Sequence, residues 1–502
     1  MTRTRSAAMY VFGALVFITG MGLTLLLPWL AGAQGSAAHL DEPPAGPCYA
    51  THDSGTTVFD SPDAGAIQQA VDAAPLGGIV KTAGKCVGVE QRGGITQTVY
   101  ISKSLTLKGG YDYNNWEAYP DPVSNKTILD ADRRGRVAVI SGTIQVALDG
   151  LYITGGLADL AGLSTSGGGM WVSAELTVTN STIFSNTSSA SGGGIYIAEK
   201  QSPAFYQVSF VDNRAAAGGG YYANVGCKPS LFDVSFVDNV AISGGGIFHN
   251  ADSLPSLTVV TFFSNTAYSN GGGLFDNSNT QSIMKNIIFS GNSAINGGGM
   301  FNNNNTDSVF TNVMFSGNKA KQGGGIFNNT NKTTIVNGTF SGNYASLNGA
   351  VIYNNSKDLY LYNSILWNNK VSVSPPSITT TVYNDGGSIT YTYSLVEASG
   401  GSEAWAADPS YVDGLGNIDR DPEFVGPVDP AAAPTTAGDL RLKSSSPAID
   451  AGDNFYVTVP FDLDFLPRIR DGHGDNQKIV DMGVYEYPSS LPYALYTPLI
   501  VR

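Results

Sequence analysis

Positive charge, histidine and uninterrupted helical periodicity are all scarce in this 502-residue chain, and each scarcity narrows what it can do. Lys and Arg number 27 against 41 Asp and Glu, a formal net charge of −14, and the only arginine between Arg136 and Arg420 is Arg214. Nucleic acid and anionic membrane surfaces demand clustered cations, so both are poor partners. The four histidines (His39, His52, His249 and His473) contain no pair at metal-ligand spacing, which argues against zinc chemistry. No long amphipathic run organises the middle of the chain, because glycine triplets and Asn/Ser/Thr clusters interrupt it every 25–27 residues. Glycine costs about 1 kcal/mol per helix position relative to alanine, so these interruptions argue against a helical repeat.

The chain has a different repeat. Gly-Gly-Gly triplets begin at Gly167, Gly192, Gly218, Gly244, Gly271, Gly297 and Gly323, in steps of 25, 26, 26, 27, 26 and 26 residues. Each leads into an apolar-aromatic pair such as Ile195-Tyr196 or Ile326-Phe327, and each after the first is preceded by an apolar-x-x-Asn box. The boxes end at Asn186, Asn213, Asn239, Asn265, Asn292 and Asn318, and one more, ending at Asn343, precedes a worn triplet at Gly349-Ala350-Val351. A fixed period of this length means one supersecondary unit stacked on copies of itself. The runs between breakers are short and β-prone, so the expected fold is all-β: a right-handed, single-stranded parallel β-helix of about 11–12 coils.

Stacking at roughly 4.8 Å turns each repeated position into a column. The box phenylalanines (Phe210, Phe236, Phe262, Phe289, Phe315 and Phe340) are expected inside, each box Asn in a turn, and the glycines at positive φ. A second aromatic column (Tyr196, Tyr222, Phe248, Phe275, Phe301, Phe327 and Tyr353) is followed two residues on by Asn224, Asn250, Asn277, Asn303, Asn329 and Asn355. Strand alternation puts both on one face. The expected arrangement is an inward aromatic stack beside an inward Asn ladder; the alternative is an outward stripe on which sugar rings stack.

Arg3 and Arg5, the apolar run from Met9 to Leu30 and Ala31-Gly32-Ala33 have the order of a secretory signal, expected to be cleaved after Ala33. The run approaches the ~20 residues that span a bilayer, which leaves an uncleaved anchor open. Residues 34–98 read as a linker and N-terminal cap, with a helix over Asp63–Ala74 plugging the first coil. Coils follow over 99–400, a small β-rich module over 401–488 and an apolar tail over 489–502. In an exported chain Cys48 and Cys86 are candidates for a disulfide pinning the cap, with three free thiols as the alternative; Cys227 reads as a small apolar filler.

Ser446–Gly452 reads SPAIDAG and Asp481–Glu486 reads DMGVYE. This stretch resembles the C-terminal module of secreted bacterial β-helix proteins of the choice-of-anchor Q type. The GGGI and FxxN boxes resemble the repeats of polymorphic outer membrane proteins and of the wider pectin-lyase-like superfamily. AIQQAVDAAPLGGIVKTAGKCVGV and LTLKGGYD are similar to the opening coils of such proteins. These resemblances imply a fold and an exported, surface location, but no reaction. Polymorphic outer membrane proteins end in a membrane β-barrel, and the residues after the coils here lack its ~10-residue alternating strands.

Candidates for chemistry are few. Asp212 and Asp238 each precede the box Asn in consecutive coils, with Arg214 two residues from the first. Carboxylates about 5 Å apart suit retaining glycoside hydrolysis, and with Ca²⁺ and an arginine base they suit a lyase elimination. The plainer reading is two turn aspartates sharing solvent and one arginine. Asp462, Asp464, Asp471, Asp475 and Asp481 are candidate Ca²⁺ ligands, although their spacing fits no EF-hand loop. No cofactor is required by this reading. The expected protein is a monomeric, exported, surface or extracellular β-helix that binds a polysaccharide or a cell-surface component without catalysis. Its membrane contact would run only through the N-terminal segment or an anchoring system. A polysaccharide lyase or hydrolase and a passive stalk are the alternatives.

Overall fold

A computed structural model describes residues 47–488 apart from 54, 160–164, 304–307, 331, 356, 373–374 and 406–407. The expected signal segment, the linker up to residue 46 and the apolar tail lie outside the described residues. Among the described residues no helix is long and apolar enough to cross a membrane.

The chain winds into a parallel β-solenoid of about 12 coils. Three rows of strands build it. The first stacks the strands that follow the triplets: Ile195–Ile197, Tyr221–Ala223, Ile247–His249, Leu274–Asp276, Met300–Asn303, Ile326–Asn329 and Ile352–Asn355. The second stacks Ala204–Val211, Ser230–Val237, Ser256–Phe263, Ile283–Ser290, Ser308–Ser316 and Thr333–Ser341. The third is short, with Val240–Ser243 on Thr266–Asn270 and Lys319–Gln322 on Tyr344–Asn348, joined through bridges at Ser293 and Asn296.

Left-handed residues make the corners. Gln207, Asp233, Val259, Asn286, Asn312 and Asn337, at φ 53–58°, bend each second-row strand at its middle. Asp212, Asp238, Ser264, Gly291, Gly317 and Gly342, at φ 48–69°, turn the chain into the third row. Asn, Asp and Gly dominate because they bear this conformation at least cost. The triplets close each coil, but only their first glycine is left-handed, as at Gly244 with φ 66°. The second and third serve close approach instead: a Cβ on Gly245 would lie 2.2 Å from the Gly272 carbonyl, and one on Gly246 2.6 Å from that of Gly273. The expected positive φ thus belongs to the first glycine of each triplet, and the relief of side-chain crowding to the other two.

Phe210, Phe236, Phe262, Phe289, Phe315 and Phe340 stack inside at centroid spacings of 4.6–5.1 Å and are fully buried. Beside them the box asparagines form a sealed ladder. Asn265 Nδ2 donates to Asn292 Oδ1 (3.0 Å) and to the Phe236 carbonyl (2.9 Å), while its Oδ1 accepts from the backbone N and Nδ2 of Asn239. The same pattern recurs at Asn213, Asn239, Asn292, Asn318 and Asn343. A buried amide is tolerated because each of its polar atoms is satisfied.

Both ends are closed, which matters because a bare solenoid end is a sticky edge. Helix Gly65–Ala73 buries Ala66, Ile67, Ala70 and Val71 against the first coil. The Cys48–Cys86 disulfide ties strand Cys48–Thr51 to Lys85–Val87. At the far end stacking runs past Gly400, since Tyr411–Asp413 pairs with Ile389–Thr392, and Trp405 packs on the core with its Nε1 donating to the Tyr411 carbonyl.

The rest of the C-terminal stretch lies back along the second row. Outward residues Ile288, Ile365 and Leu395 share one buried cluster with Phe424, Val428, Leu440, Leu463, Met482 and Val484. Corner amides grip its main chain: Asn312 Nδ2 donates to the Phe461 carbonyl (2.7 Å), and Asn363 Nδ2 to that of Asp453 (3.0 Å). The module also runs hard against the second corner, where a Cβ on Gly317 would sit 2.2 Å from the Thr435 carbonyl and one on Gly342 2.2 Å from Val428 Cγ1. Towards the N-terminus the covered face ends. The outward column that reads Ile288, Met314, Thr339 and Ile365 under the module reads Ser209, Ser235 and Thr261 beyond it.

Candidate functional site

Asp212 and Asp238 occupy the second corner of adjacent coils, at φ 48° and 53°, with the Asp212 backbone N donating to the Val237 carbonyl. Arg214 Nη2 lies 2.9 Å from Asp212 Oδ1 in a half-buried pair. Asp238 has no such cation. Crowding of its inner edge, then the charge of Asp212, push its carboxyl upward, and solvent at its exposed edge limits that shift. The two carboxylates are therefore inequivalent, one ion-paired and one without a cation and shifted upward.

Next to them the second row is open. Tyr206 and Phe232 are neighbours in register, 41% and 47% exposed, and their rings do not stack on each other. Ser209 and Ser235, on the same outward side, share a hydroxyl hydrogen bond of 2.9 Å. Gln207 and Asp233 form the bend beside them. Sequence reasoning passed over Tyr206 and Phe232 because neither belongs to a column that persists along the chain.

The first-row aromatics do form a persistent column, and it is outward. Tyr196 alternates with Ile195 and Ile197, which belong to the core, and the aromatics from Trp171 to Tyr383 run outside it. This corrects the expected inward stack. The alternative fares no better as a sugar platform: successive centroids lie 4.5–6.5 Å apart at interplanar angles of 28° or less. Ring faces are spent on one another, and only edges remain. The flanking asparagines are laddered, each Nδ2 of Asn250, Asn277, Asn303, Asn329 and Asn355 donating to the Oδ1 of the preceding coil at 2.7–3.1 Å, and Asn224 Nδ2 donating to Tyr196 Oη.

The five C-terminal aspartates do not converge. Asp464 pairs with Arg441 at 2.7 Å, Asp462 accepts the backbone N of Asp464, Leu466 and Glu486, and Asp481 accepts those of Asp450 and Tyr487. Asp471 caps the turn at Gly474–Asn476, and Asp475 accepts from Gln477 N. Among the described residues no group of three His, Cys, Asp or Glu is placed to hold a metal ion. These acids are turn-builders in this arrangement, with their lone pairs already engaged. Burial pushes the Asp481 carboxyl up to about 7. Cys227 is buried and free, its Sγ 3.1 Å from the Ala198 carbonyl.

One cluster escaped the sequence reading. Inside the solenoid His249 Nδ1 lies 2.7 Å from Asp276 Oδ1, the Ser282 hydroxyl donates to Asp276 Oδ2, and both His249 and Asp276 are buried. His249 Nε2 and the nearby Tyr221 hydroxyl have no protein partner. The pair is separated by 27 residues, one coil, so a search confined to short metal-ligand spacings cannot see it. It continues as an inner amide ladder through Asn302, Asn328, Asn354 and Asn384.

Residues 312–329 match the family model described as Chlamydia polymorphic membrane protein (Chlamydia_PMP) repeat. The matched segment holds one box asparagine, Asn318, and one triplet with its following strand. No curated protein matches the chain.

Proposed function

We propose that this is an exported, surface or extracellular β-solenoid that binds glycans without transforming them. The observation that carries the reading is the fate of the acids. Asp212 is engaged by Arg214, and the C-terminal aspartates are consumed by turns and by Arg441. That leaves binding as the use of a long, nearly uncharged, amide- and hydroxyl-rich surface. Similarity of residues 312–329 to a membrane-protein repeat supports a surface location. Fold alone would not decide the matter, because solenoids host enzymes and passive stalks alike.

The placement of Asp212 and Asp238 at the corners of adjacent coils, only one of them ion-paired, favours a second reading, glycoside hydrolysis, which needs two carboxylates in different surroundings. A polysaccharide panel with paired binding and turnover assays, run with and without Ca²⁺, separates the two. Retention without chain shortening is the expected result. Products that vanish in Asp238→Asn would replace binding by catalysis, and silence on every glycan would leave the stalk.

A further inference from the structure

The second row has two outward faces, and the boundary between them is sharp. Under the module its floor is Ile288, Met314, Thr339 and Ile365, apolar at three of four positions; beyond the module the same column is Ser209, Ser235 and Thr261. A lid of apolar side chains fits the first and gains nothing from the second. We propose that the open half binds a sugar chain without acidic groups, laid over Tyr206 and Phe232 and bounded by the Asp212 and Asp238 corner. This rests on the glycan-binding reading above and names its site and ligand class.

Three observations support it. Tyr206 and Phe232 are the two outward rings of this row that lie half exposed and unstacked, so each offers a free apolar face, whereas the first-row rings offer edges only. The covered half shows what such a position accepts: the module's Tyr456 ring lies on Tyr362 at 4.1 Å, and its Thr458 hydroxyl meets that of Thr311. A flat ring and adjoining hydroxyls are also what a pyranose presents. The floor supplies a half-buried hydroxyl at Ser209, oriented by the buried Ser235 that donates to it, the mix of aromatic faces and few polar groups found in ligand sites. Charge then selects among sugars. Arg214 is taken by Asp212, while Asp233 and Asp238 are exposed carboxylates, and the next cation along the column is Lys285, two coils beyond Phe232. A uronate or sulfated chain would meet like charge; a neutral or amine-bearing chain would not.

The test is calorimetric binding of the intact protein to cellohexaose, chitosan hexamer and a galacturonate hexamer. The neutral and amine-bearing chains should bind in preference to the galacturonate. Phe232→Ala and Tyr206→Ala should each weaken binding about tenfold, the scale of losing an aromatic anchor. Tyr119→Ala, at a 97% exposed site elsewhere, should change nothing. All three positions are exposed, so the fold tolerates the changes, and thermal midpoints check that. Full binding in both aromatic variants would place the glycan elsewhere and overturn this site while sparing the glycan-binding reading. Preference for galacturonate would overturn the ligand class. Binding of none of the three would overturn the proposal together with the reading it rests on.

Discussion

Replacing Asn265 by alanine tests whether the sealed amide ladder holds the solenoid together. The change removes four hydrogen bonds: two accepted from Asn239, one donated to Asn292 Oδ1 and one to the Phe236 carbonyl. Asn239 Nδ2 keeps the Phe210 carbonyl, and Asn292 Oδ1 keeps the backbone N of residue 265. The Asn239 backbone N–H loses its partner outright, and the Phe236 carbonyl loses its side-chain donor, in a place water does not reach. An orphaned buried group costs about 1–3 kcal/mol, so the variant should lose about 3–5 kcal/mol once the small cavity is included. Asn277→Ala is the control: it removes two ladder bonds on the half-buried outer ladder, where water substitutes, and should cost about 1 kcal/mol. Because coils contact only their neighbours, a single global midpoint is a poor readout. Hydrogen exchange resolved by coil is better, and protection should fall around residues 236–292. Equal losses in the two variants would refute the claim that satisfaction of buried amides, rather than mere chain stacking, stabilises the coils.

Further outcomes follow from the module and the cap. The folded-state pKa of Asp481, raised to about 7, lies above its unfolded value near 3.8, so its contribution is full below about pH 4 and is lost as pH rises through 7. Exchange protection of residues 448–486 should therefore be lower at pH 8 than at pH 5, and Asp481→Asn should flatten that slope. Arg468 is buried, donating to Asn312, to Glu486 and to the Gly483 carbonyl; Arg468→Met should cost about 3–5 kcal/mol by stranding carboxylates, seen as protease sensitivity of the module. Reducing Cys48–Cys86, which closes a separation of 38 residues, should destabilise the cap by about 4 kcal/mol in the chain-entropy account, read as a lower unfolding midpoint for residues 48–101.

The coils were legible because a period of 26 residues repeats its evidence. Inward Phe210 and its copies and the helix near Ile67 stand where pattern places them. The box asparagines stack in a ladder as turn residues can, but the left-handed position expected for them falls on the residue before each, Asp212, Asp238, Ser264 and the glycines that follow. What pattern could not decide was which way a strand of three residues faces. Ile195-Tyr196-Ile197 is apolar throughout, so alternation within it has no polar member to mark the outside. The His249–Asp276 pair was invisible for another reason: its partners are neighbours across coils, and only the register aligns them.

The module's footprint is a subtler case, because its marks are present in the sequence but mean nothing until the docking is known. Along the first corner the residues run Asn180, Gln207, Asp233 and Val259, then Asn286, Asn312, Asn337 and Asn363. Along the second they run Asp212, Asp238 and Ser264, then Gly291, Gly317 and Gly342. Each column is a series of identical backbone positions, so a change of residue type along it reports a change of surroundings rather than of conformation. The amides of Asn312, Asn337 and Asn363 meet module carbonyls, and the glycines stand where its chain passes too close for a Cβ. The acids and the serine of these two columns lie on the side away from the module contacts seen among the described residues. An acid at Gly317 would collide with Thr435, and an Ile288-like floor at Ser235 would expose apolar surface to water without a lid. The two halves of the row are therefore specialised against each other's occupant, which is why the open half reads as a site for something other than the module.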